Sequence, residues 1–374
     1  MIRVGFCTHV LNKGLKTGSI DGIGQYTDAL HQHLTKPSLN QQFSLQTFTF
    51  SGCSRATVPM GPFGPNLLWS SLTDKNFSKT TQLQACVDVI HATDHHIPRC
   101  APIPTVATVM DVIPLSHPEW VTDRFRSLKS ALWKKSLTWT ERIITISEYS
   151  KSEIVKWTDT KANKISVIPL GVDASWFERS STAQVQYVRY KYRLPEQFFI
   201  SIGTLQPRKN IESTLRAHQC LPDKERLQTP LIIIGRAGWK CDALIERIED
   251  DPLKGAVRWL QRVPQQDIQT LLQASSALVF PSLAEGFGLP IVEAFASQVP
   301  VITSNSTSLP EVAGDAAILI DPLDIAQIAD AMRRIRGDKT LANELITKGL
   351  HRARAFSWDN CARATADVYL EMTR

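Results

Sequence analysis

Short apolar runs punctuate the chain, and helical patterns lie between many of them. Runs at 2–7, 43–48, 87–90, 105–109, 142–146, 165–168, 199–202, 231–234, 257–260, 277–280, 299–303 and 317–320 predict strands. The strand candidates thus alternate with helical stretches along the chain. In a strand–helix–strand series that means parallel sheets covered by helices. Twelve strands exceed what one doubly wound sheet ordinarily carries, so the pattern predicts an α/β protein of two Rossmann-like domains. A polar, turn-rich stretch at 171–194 separates the run ending at 168 from the run starting at 199. The domains are expected over residues 1–178 and 190–356. The first strand is followed by a polar segment, read as a long loop, then by Gly18-Ser-Ile-Asp-Gly22-Ile-Gly24-Gln-Tyr26, whose glycines would let the backbone approach a ligand, and then by a helix through Leu34. A final helical pattern runs from about 358 to 372.

Composition narrows this picture without redirecting it. With 374 residues, 21% charged and 43% hydrophobic, the chain is ordinary globular material with room for two domains. No apolar run is long enough to span a bilayer, and the first residues read as a strand rather than a signal peptide, which places the protein in the cytoplasm. Seven dispersed cysteines without C-x-x-C spacing favour reduced thiols over disulfides or zinc. The net charge of +6 suits polyanionic ligands such as nucleoside diphosphates and acidic lipid surfaces, and is too dispersed to argue for nucleic acid.

The candidate chemistry lies where strands end. After the run at 277–280 comes Pro281-Ser-Leu-Ala-Glu285-Gly286-Phe287-Gly288-Leu289-Pro290-Ile-Val-Glu293, a glycine turn that opens a helix. Backbone N–H groups and the positive dipole end there suit a diphosphate, and a carboxylate further on suits ribose hydroxyls. After the run at 199–202 comes Gly203-Thr-Leu-Gln-Pro207-Arg208-Lys209-Asn210. An arginine fork beside a lysine point charge is fitted to a diphosphate. The backbone around Val263, past another strand end, is placed to read a nucleobase edge. In the first half, Asp111 follows a strand and either faces a ligand or caps its own turn. His91, His95 and His96 match no familiar metal spacing, so no metal is expected, and their loop is read as facing a cleft. A helix expected over 121–138 carries Val121, Phe125, Leu128, Leu132 and Trp139 on one stripe, with Trp133 off it and Arg124, Arg126, Lys129, Lys134 and Lys135 around it. It reads as a sheet-packing helix with a solvated basic face, or as a peripheral membrane contact through 121–139 at the inner face of the membrane.

Taken together, these pieces resemble the retaining, NDP-sugar-dependent glycosyltransferases of family 4 ("glycosyl transferases group 1" type). The matching segments are Gly22-Ile-Gly24, His91-Ala-Thr, Ile144-Thr-Ile-Ser147-Glu, Ile168-Pro-Leu-Gly-Val-Asp173, Gly203 through Asn210, Pro281 through Pro290 with Glu293, and Ser308-Leu-Pro-Glu-Val312. The resemblance implies the GT-B fold: two Rossmann-like domains facing each other across a cleft, with the C-terminal helix crossing back so that 357–374 completes the N-terminal domain. It implies that Glu293 holds the ribose and that Glu285 and the amides of Gly286-Phe287-Gly288-Leu289 meet sugar and phosphates. By the same resemblance Gly203, Arg208 and Lys209 serve the diphosphate, Val263 lies by the base, and the Gly22–Gly24 loop approaches the diphosphate from the other domain. The implied reaction is hexosyl transfer, with mannose or a 6-deoxysugar such as rhamnose or fucose favoured and GDP as first guess. The acceptor is a glycan or lipid-linked molecule in polysaccharide biosynthesis. The nucleotide sugar is the donor substrate, with no cofactor or essential metal. Glu285, Arg208, Lys209 and Asp111 are the catalytic candidates.

Relatives of this type commonly carry His-Asp where this chain has Met110-Asp111. Met110 makes no comparable hydrogen bond. Either the donor lacks the primary hydroxyl, or transfer is impaired, or His95, His96 or Asp111 covers the role. The competing functions are a sugar-nucleotide epimerase on the same architecture and a non-catalytic sugar-nucleotide-binding protein.

Overall fold

The computed structural model describes residues 1–18, 20–50, 58–120 and 125–373. Thirteen strands lie among them: β1 (Ile2–Cys7), β2 (Phe43–Thr49), β3 (Val58–Pro59), β4 (Val89–Ala92), β5 (Thr105–Thr108), β6 (Arg142–Thr145), β7 (Ile165–Val167), β8 (Phe199–Ile202), β9 (Leu231–Ile234), β10 (Val257–Leu260), β11 (Ala277–Phe280), β12 (Val301–Ser304) and β13 (Ile318–Ile320). β3 was not foreseen: it is two residues long and ends on a proline, so it carries no apolar run. They form a seven-stranded sheet in the order β3-β2-β1-β4-β5-β6-β7 and a six-stranded sheet in the order β10-β9-β8-β11-β12-β13. Neighbouring strands pair in parallel throughout, as in Ile2 opposite Phe43 and Phe199 opposite Leu231. Each order reverses once, between β1 and β4 in the first sheet and between β8 and β11 in the second. Ligands of open parallel sheets bind outside the carboxyl ends of the strands at such reversals.

The chain divides into one unit of Met1–Gly171 with Trp358–Arg374 and a second of Val172–Ser357. The first boundary falls earlier than the expected 178. Segment 172–181 is tied into the second unit, where Gln269 Nε2 donates to the carbonyls of Ser175 and Glu178 and Ser180 Oγ meets Thr270 Oγ1 at 2.9 Å.

In the first unit the helix Trp358–Met372 packs against the helix Gly22–Leu34. A buried hydrogen-bonded chain holds it there. Tyr369 Oη meets His91 Nδ1 at 2.6 Å, His91 Nε2 meets Thr108 Oγ1 at 2.8 Å, and Thr108 Oγ1 meets Tyr26 Oη at 2.9 Å. Burial pushes the His91 imidazole down from 6.5 to about 3, so it is neutral there. His91 therefore belongs to β4 and the core, not to a loop.

Two further expectations are corrected. The polar segment after β1 is a helix, His9–Thr17, which buries only Leu11 and Gly14 and so shows little apolar pattern. The helix expected over 121–138 spans Arg126–Leu137, and 121–124 lie outside the described residues, Val121 and Arg124 with them. Its buried side is also not the expected stripe. Leu132 and Trp139 pack into one core cluster, while Trp133, expected outside the stripe, packs with Leu137 into another. Phe125 and Leu128 are exposed. No helix among the described residues is long and apolar enough to cross a membrane. Six cysteines, Cys7, Cys86, Cys100, Cys220, Cys241 and Cys361, are free thiols.

Candidate functional site

The second unit assembles its chemistry from the loops after β8 and β11, the two strands at the reversal. Gly203 stands at φ +154, and the turn Pro207–Lys209 follows. Asn210, at φ 53, clamps this turn: its Nδ2 donates to the carbonyls of Pro281 at 3.0 Å and Pro322 at 2.7 Å. Leu283 N donates to Arg208 O at 2.7 Å, which stitches the two loops directly. The side chains then converge. Arg208 Nη1 donates to Glu285 Oε2 at 2.8 Å and to Ala284 O at 3.1 Å, and Lys209 Nζ donates to Glu285 Oε1 at 2.5 Å. Glu285 is buried, at 8% exposure. Burial alone would raise its carboxyl, but the neighbouring Lys209 and Arg208 charges outweigh that and hold it below the usual carboxylate range. The cluster is thus two cations on one carboxylate, with charge to spare for an anion. Lys209 Nζ also lies 4.9 Å from the centre of the Phe280 ring.

The glycine turn beyond Glu285 is equally determined. Ser308 Oγ donates to the carbonyls of Glu285 at 2.9 Å and Phe287 at 3.1 Å, fixing the turn from the neighbouring loop. Gly288 sits at φ +108, and a Cβ on it would come within 2.8 Å of Leu309. Only glycine fits both the conformation and the space. Gly288 hands over to the helix Leu289–Ala296, with Pro290 in its first turn. The first N–H groups of that helix lie at its positive end, where an anion is stabilised. Glu293 lies on this helix, and burial raises its carboxyl to about 7. Val263 is half-buried in the loop between β10 and the helix Gln265–Ala274. The sheet order puts it two strands from β8, at the edge away from Glu285.

In the first unit the residues flanking the reversal line a cavity of about 420 Å³. Its wall comprises Ile23, Thr108–Asp111, Pro114 and Trp133, the polar pair Asp94 and His95, and the side chains of Arg126, Lys129 and Ser130. Met110 and Asp111 are therefore both in the wall. Asp111 Oδ1 also accepts from Ile113 N at 3.1 Å, so the turn-capping role and the wall position coexist. Gly22 and Gly24 open the helix that brings Ile23 to this wall. The Asp21 side chain caps it by accepting from Gly24 N at 2.8 Å.

Asp94 was not singled out in the sequence. It is 2% exposed, and its Oδ1 accepts from His96 N at 2.7 Å and lies 3.0 Å from His96 Nδ1. Its Oδ2 has no hydrogen-bond partner among the described residues. Burial would raise this carboxyl, yet His96 holds it at about 2, so it is an anion in the cavity wall. Ligand atoms of Asp94, His95 and His96 lie within 4.8 Å of one another. The only signal in sequence was a polar Thr-Asp-His-His run directly after an apolar strand.

Two family models match the chain, Glycosyltransferase Family 4 over residues 20–176 and Glycosyl transferases group 1 over 189–352. The O-antigen chain mannosyltransferase B of Escherichia coli is 38% identical over 71% of this chain and 69% of its own. The serotype-specific mannosyltransferase WbdA of the same species is 29% identical over 72% of this chain, a match that spans only 34% of that longer protein. Among solved structures, sucrose-phosphate synthase from Thermosynechococcus elongatus superposes with a TM-score of 0.75 at 18% identity, covering 100% of this chain and 99% of that one. WaaG, a glycosyltransferase of lipopolysaccharide biosynthesis, superposes with a TM-score of 0.70 at 15% identity and covers 98% of each chain. With two parallel sheets carrying their polar clusters at the strand-order reversals, the chain belongs to the GT-B glycosyltransferases and is an enzyme of that class.

Proposed function

We propose that the protein transfers a hexosyl residue, mannose in the first instance, from a nucleoside diphosphate sugar to a glycan acceptor, with retention of anomeric configuration and without a metal. The reading rests on one observation above the rest: Arg208 and Lys209 are held on Glu285 beside the glycine turn that opens the helix Leu289–Ala296. In this reading the second unit holds the donor. Glu293 accepts from the ribose hydroxyls, Val263 lies by the base, and Gly203, Arg208, Lys209 and the amides of Gly286 to Leu289 meet the diphosphate. As the bond from the anomeric carbon to the β-phosphate oxygen breaks, both electrons go to that oxygen. Fixed cations and N–H groups stabilise the charge as it forms. The acceptor hydroxyl attacks the same face of the sugar, and its proton passes to the departing phosphate oxygen. No protein base is needed, which agrees with a Glu285 carboxylate committed to two cations.

The acceptor takes the cavity of the first unit. Trp133 and Met110 give it apolar walls, Asp94, His95 and Asp111 accept hydroxyls, and Arg126 and Lys129 suit an anionic group on the acceptor. Mannose as the sugar is suggested by the names of the two relatives, and an apolar Met110 favours a donor without a primary hydroxyl. The deciding experiment offers GDP-, UDP- and dTDP-sugars, with and without the 6-hydroxyl, together with a glycan acceptor, and reads products by NMR. A new α-glycoside from an α-linked donor supports the reading. An epimerised donor or an inverted product would overturn it. Clear preference for GDP-mannose over GDP-6-deoxysugars would remove the deoxysugar reading of Met110 and leave the rest standing.

A further inference from the structure

Two neighbouring helices of the first unit turn large apolar side chains to solvent. The helix Phe63–Thr73 buries Asn66, Leu67 and Ser70 and leaves Leu68, Trp69 and Leu72 exposed at 44%, 54% and 76%. These three lie on one face, since Leu72 is four positions beyond Leu68 and three beyond Trp69. The helix Arg126–Leu137 packs against it. It leaves Leu128 at 54%, with Phe125 just before it at 65%. Leu67 and Phe63 of the first helix and Leu132 of the second sit in the same core cluster, so both helices lie on one layer and present their opposite sides outward together.

Basic residues frame this apolar face. Lys75 and Lys79 follow the first helix, and Lys129, Lys134 and Lys135 are exposed on the second. Among the described residues at 63–79 and 125–137 Asp74 is the acidic one, and Lys135 and Arg99 stand 3.7 and 3.8 Å from it. Apolar side chains that include a tryptophan, ringed by lysines that outnumber the acids among the described residues of both segments, are the composition of a surface that lies in a lipid headgroup layer. Patches of this kind are rarely left bare on a monomer. The same helix that carries Leu128 and Lys135 outward also lines the cavity with Arg126, Lys129, Ser130 and Trp133.

We propose that this face, formed by residues 63–75 and 125–135, seats the protein on an anionic lipid bilayer. The apolar side chains enter the headgroup boundary and the lysines pair with lipid phosphates. The adjoining cavity then opens beside the bilayer, where an acceptor anchored by a lipid tail would stand. Only this last consequence rests on the acceptor reading given above; bilayer binding does not.

The test uses the full chain with vesicles of phosphatidylcholine alone and of phosphatidylcholine mixed with phosphatidylglycerol, read by flotation. The protein is expected to float with the anionic vesicles and to lose that binding as salt is raised. A lysine near an anionic surface contributes about fivefold in partitioning, so K134Q/K135Q should weaken binding about thirtyfold. W69S/L72S should weaken it at every salt concentration. Both variants should keep their melting temperature and their transfer to a soluble acceptor without lipid. Failure of the unaltered protein to float with either vesicle would overturn the proposal, as would floating that neither variant reduces. A concentration-dependent dimer that W69S/L72S abolishes, seen by sedimentation velocity, would assign the face to a second copy instead and overturn it too. A protein that floats but forms no glycoside would leave this proposal intact and remove the function proposed above.

Discussion

Replacing Glu285 with glutamine keeps the shape of the side chain and removes the charge on which Arg208 and Lys209 are held. The carboxylate side chain is 9% exposed, against 22% for Arg208 and 13% for Lys209. Breaking a fully buried pair from one side costs about 3–5 kcal/mol, because the remaining charge is left uncompensated. Here the cations keep some contact with water, which places the cost at the lower end, about 3 kcal/mol. In a unit of this size that corresponds to a fall of about 6–12 °C in melting temperature. Calorimetry of E285Q against the unaltered protein measures it. The sign with pH follows from the carboxyl being held below its ordinary value. Its contribution is fully present above the unfolded value of 4.5 and is lost as pH falls through the folded one, so the gap between the two proteins should close in acid. Nucleoside diphosphate provides a second arm. Its phosphates would supply the anion that E285Q lacks, so GDP or UDP should raise the melting temperature of the variant more than that of the parent. Equal melting temperatures without nucleotide, or a smaller nucleotide shift in E285Q, would refute this account of the cluster.

Three more outcomes are expected. Y369F leaves His91 Nδ1 without its 2.6 Å partner in a dry core and should cost about 1–3 kcal/mol in the first unit, read by thermal unfolding. Acid should unfold the first unit before the second. His91 sits at about 3 when folded against 6.5 unfolded, so below pH 6.5 the unfolded chain binds the extra proton and stability falls by about 1.4 kcal/mol per pH unit. In the second unit His218, at about 4, has the same sign, but Glu293, raised to about 7, gains stability as pH drops towards 4.5 and offsets it. Melting followed from pH 7.5 to 5.5 separates the two transitions. The same Glu293 should make nucleotide binding strengthen from pH 6 to pH 8, as its carboxylate becomes available to the ribose hydroxyls, whereas E293Q should bind weakly and without that slope by calorimetric titration.

The second sheet was legible almost residue by residue, because its strands are short and mainly apolar: 199–202, 231–234, 257–260 and 277–280 were all found at their full length, although Ser201 and Arg258 interrupt two of them. Helices with a thin buried stripe were not. His9–Thr17 commits two residues to the core and so reads as a loop. The stripe of Arg126–Leu137 was misplaced because the helix sits across two clusters, and its buried side contains Ser136 as well as Trp133. At the candidate site, residue types at strand ends singled out Arg208, Lys209 and Glu285, but not the pairing of the two cations with the carboxylate. The 2.8 and 2.5 Å contacts join positions 77 and 76 residues apart and exist because β8 and β11 are neighbours. Asp94 escaped notice for a deeper reason: its distinction is an oxygen without a partner, a property that no local pattern encodes.

The helix Trp358–Met372 gives the first unit an unusual history. Its Tyr369 closes the hydrogen-bonded chain through His91, and its Trp358 ring lies 6.2 Å from that of Tyr26, yet the ribosome reaches it only after all of residues 172–357. The second unit, continuous in sequence, can fold as soon as it emerges. The half that is synthesised first must wait with His91, Tyr26 and Phe43 uncovered, and it is the half exposed to chaperones and proteases during translation. Damage near the end of the chain is therefore felt in the unit built from its beginning. A small deletion after Ser357 would unsettle the first unit while leaving the second, Val172–Ser357, intact and folded.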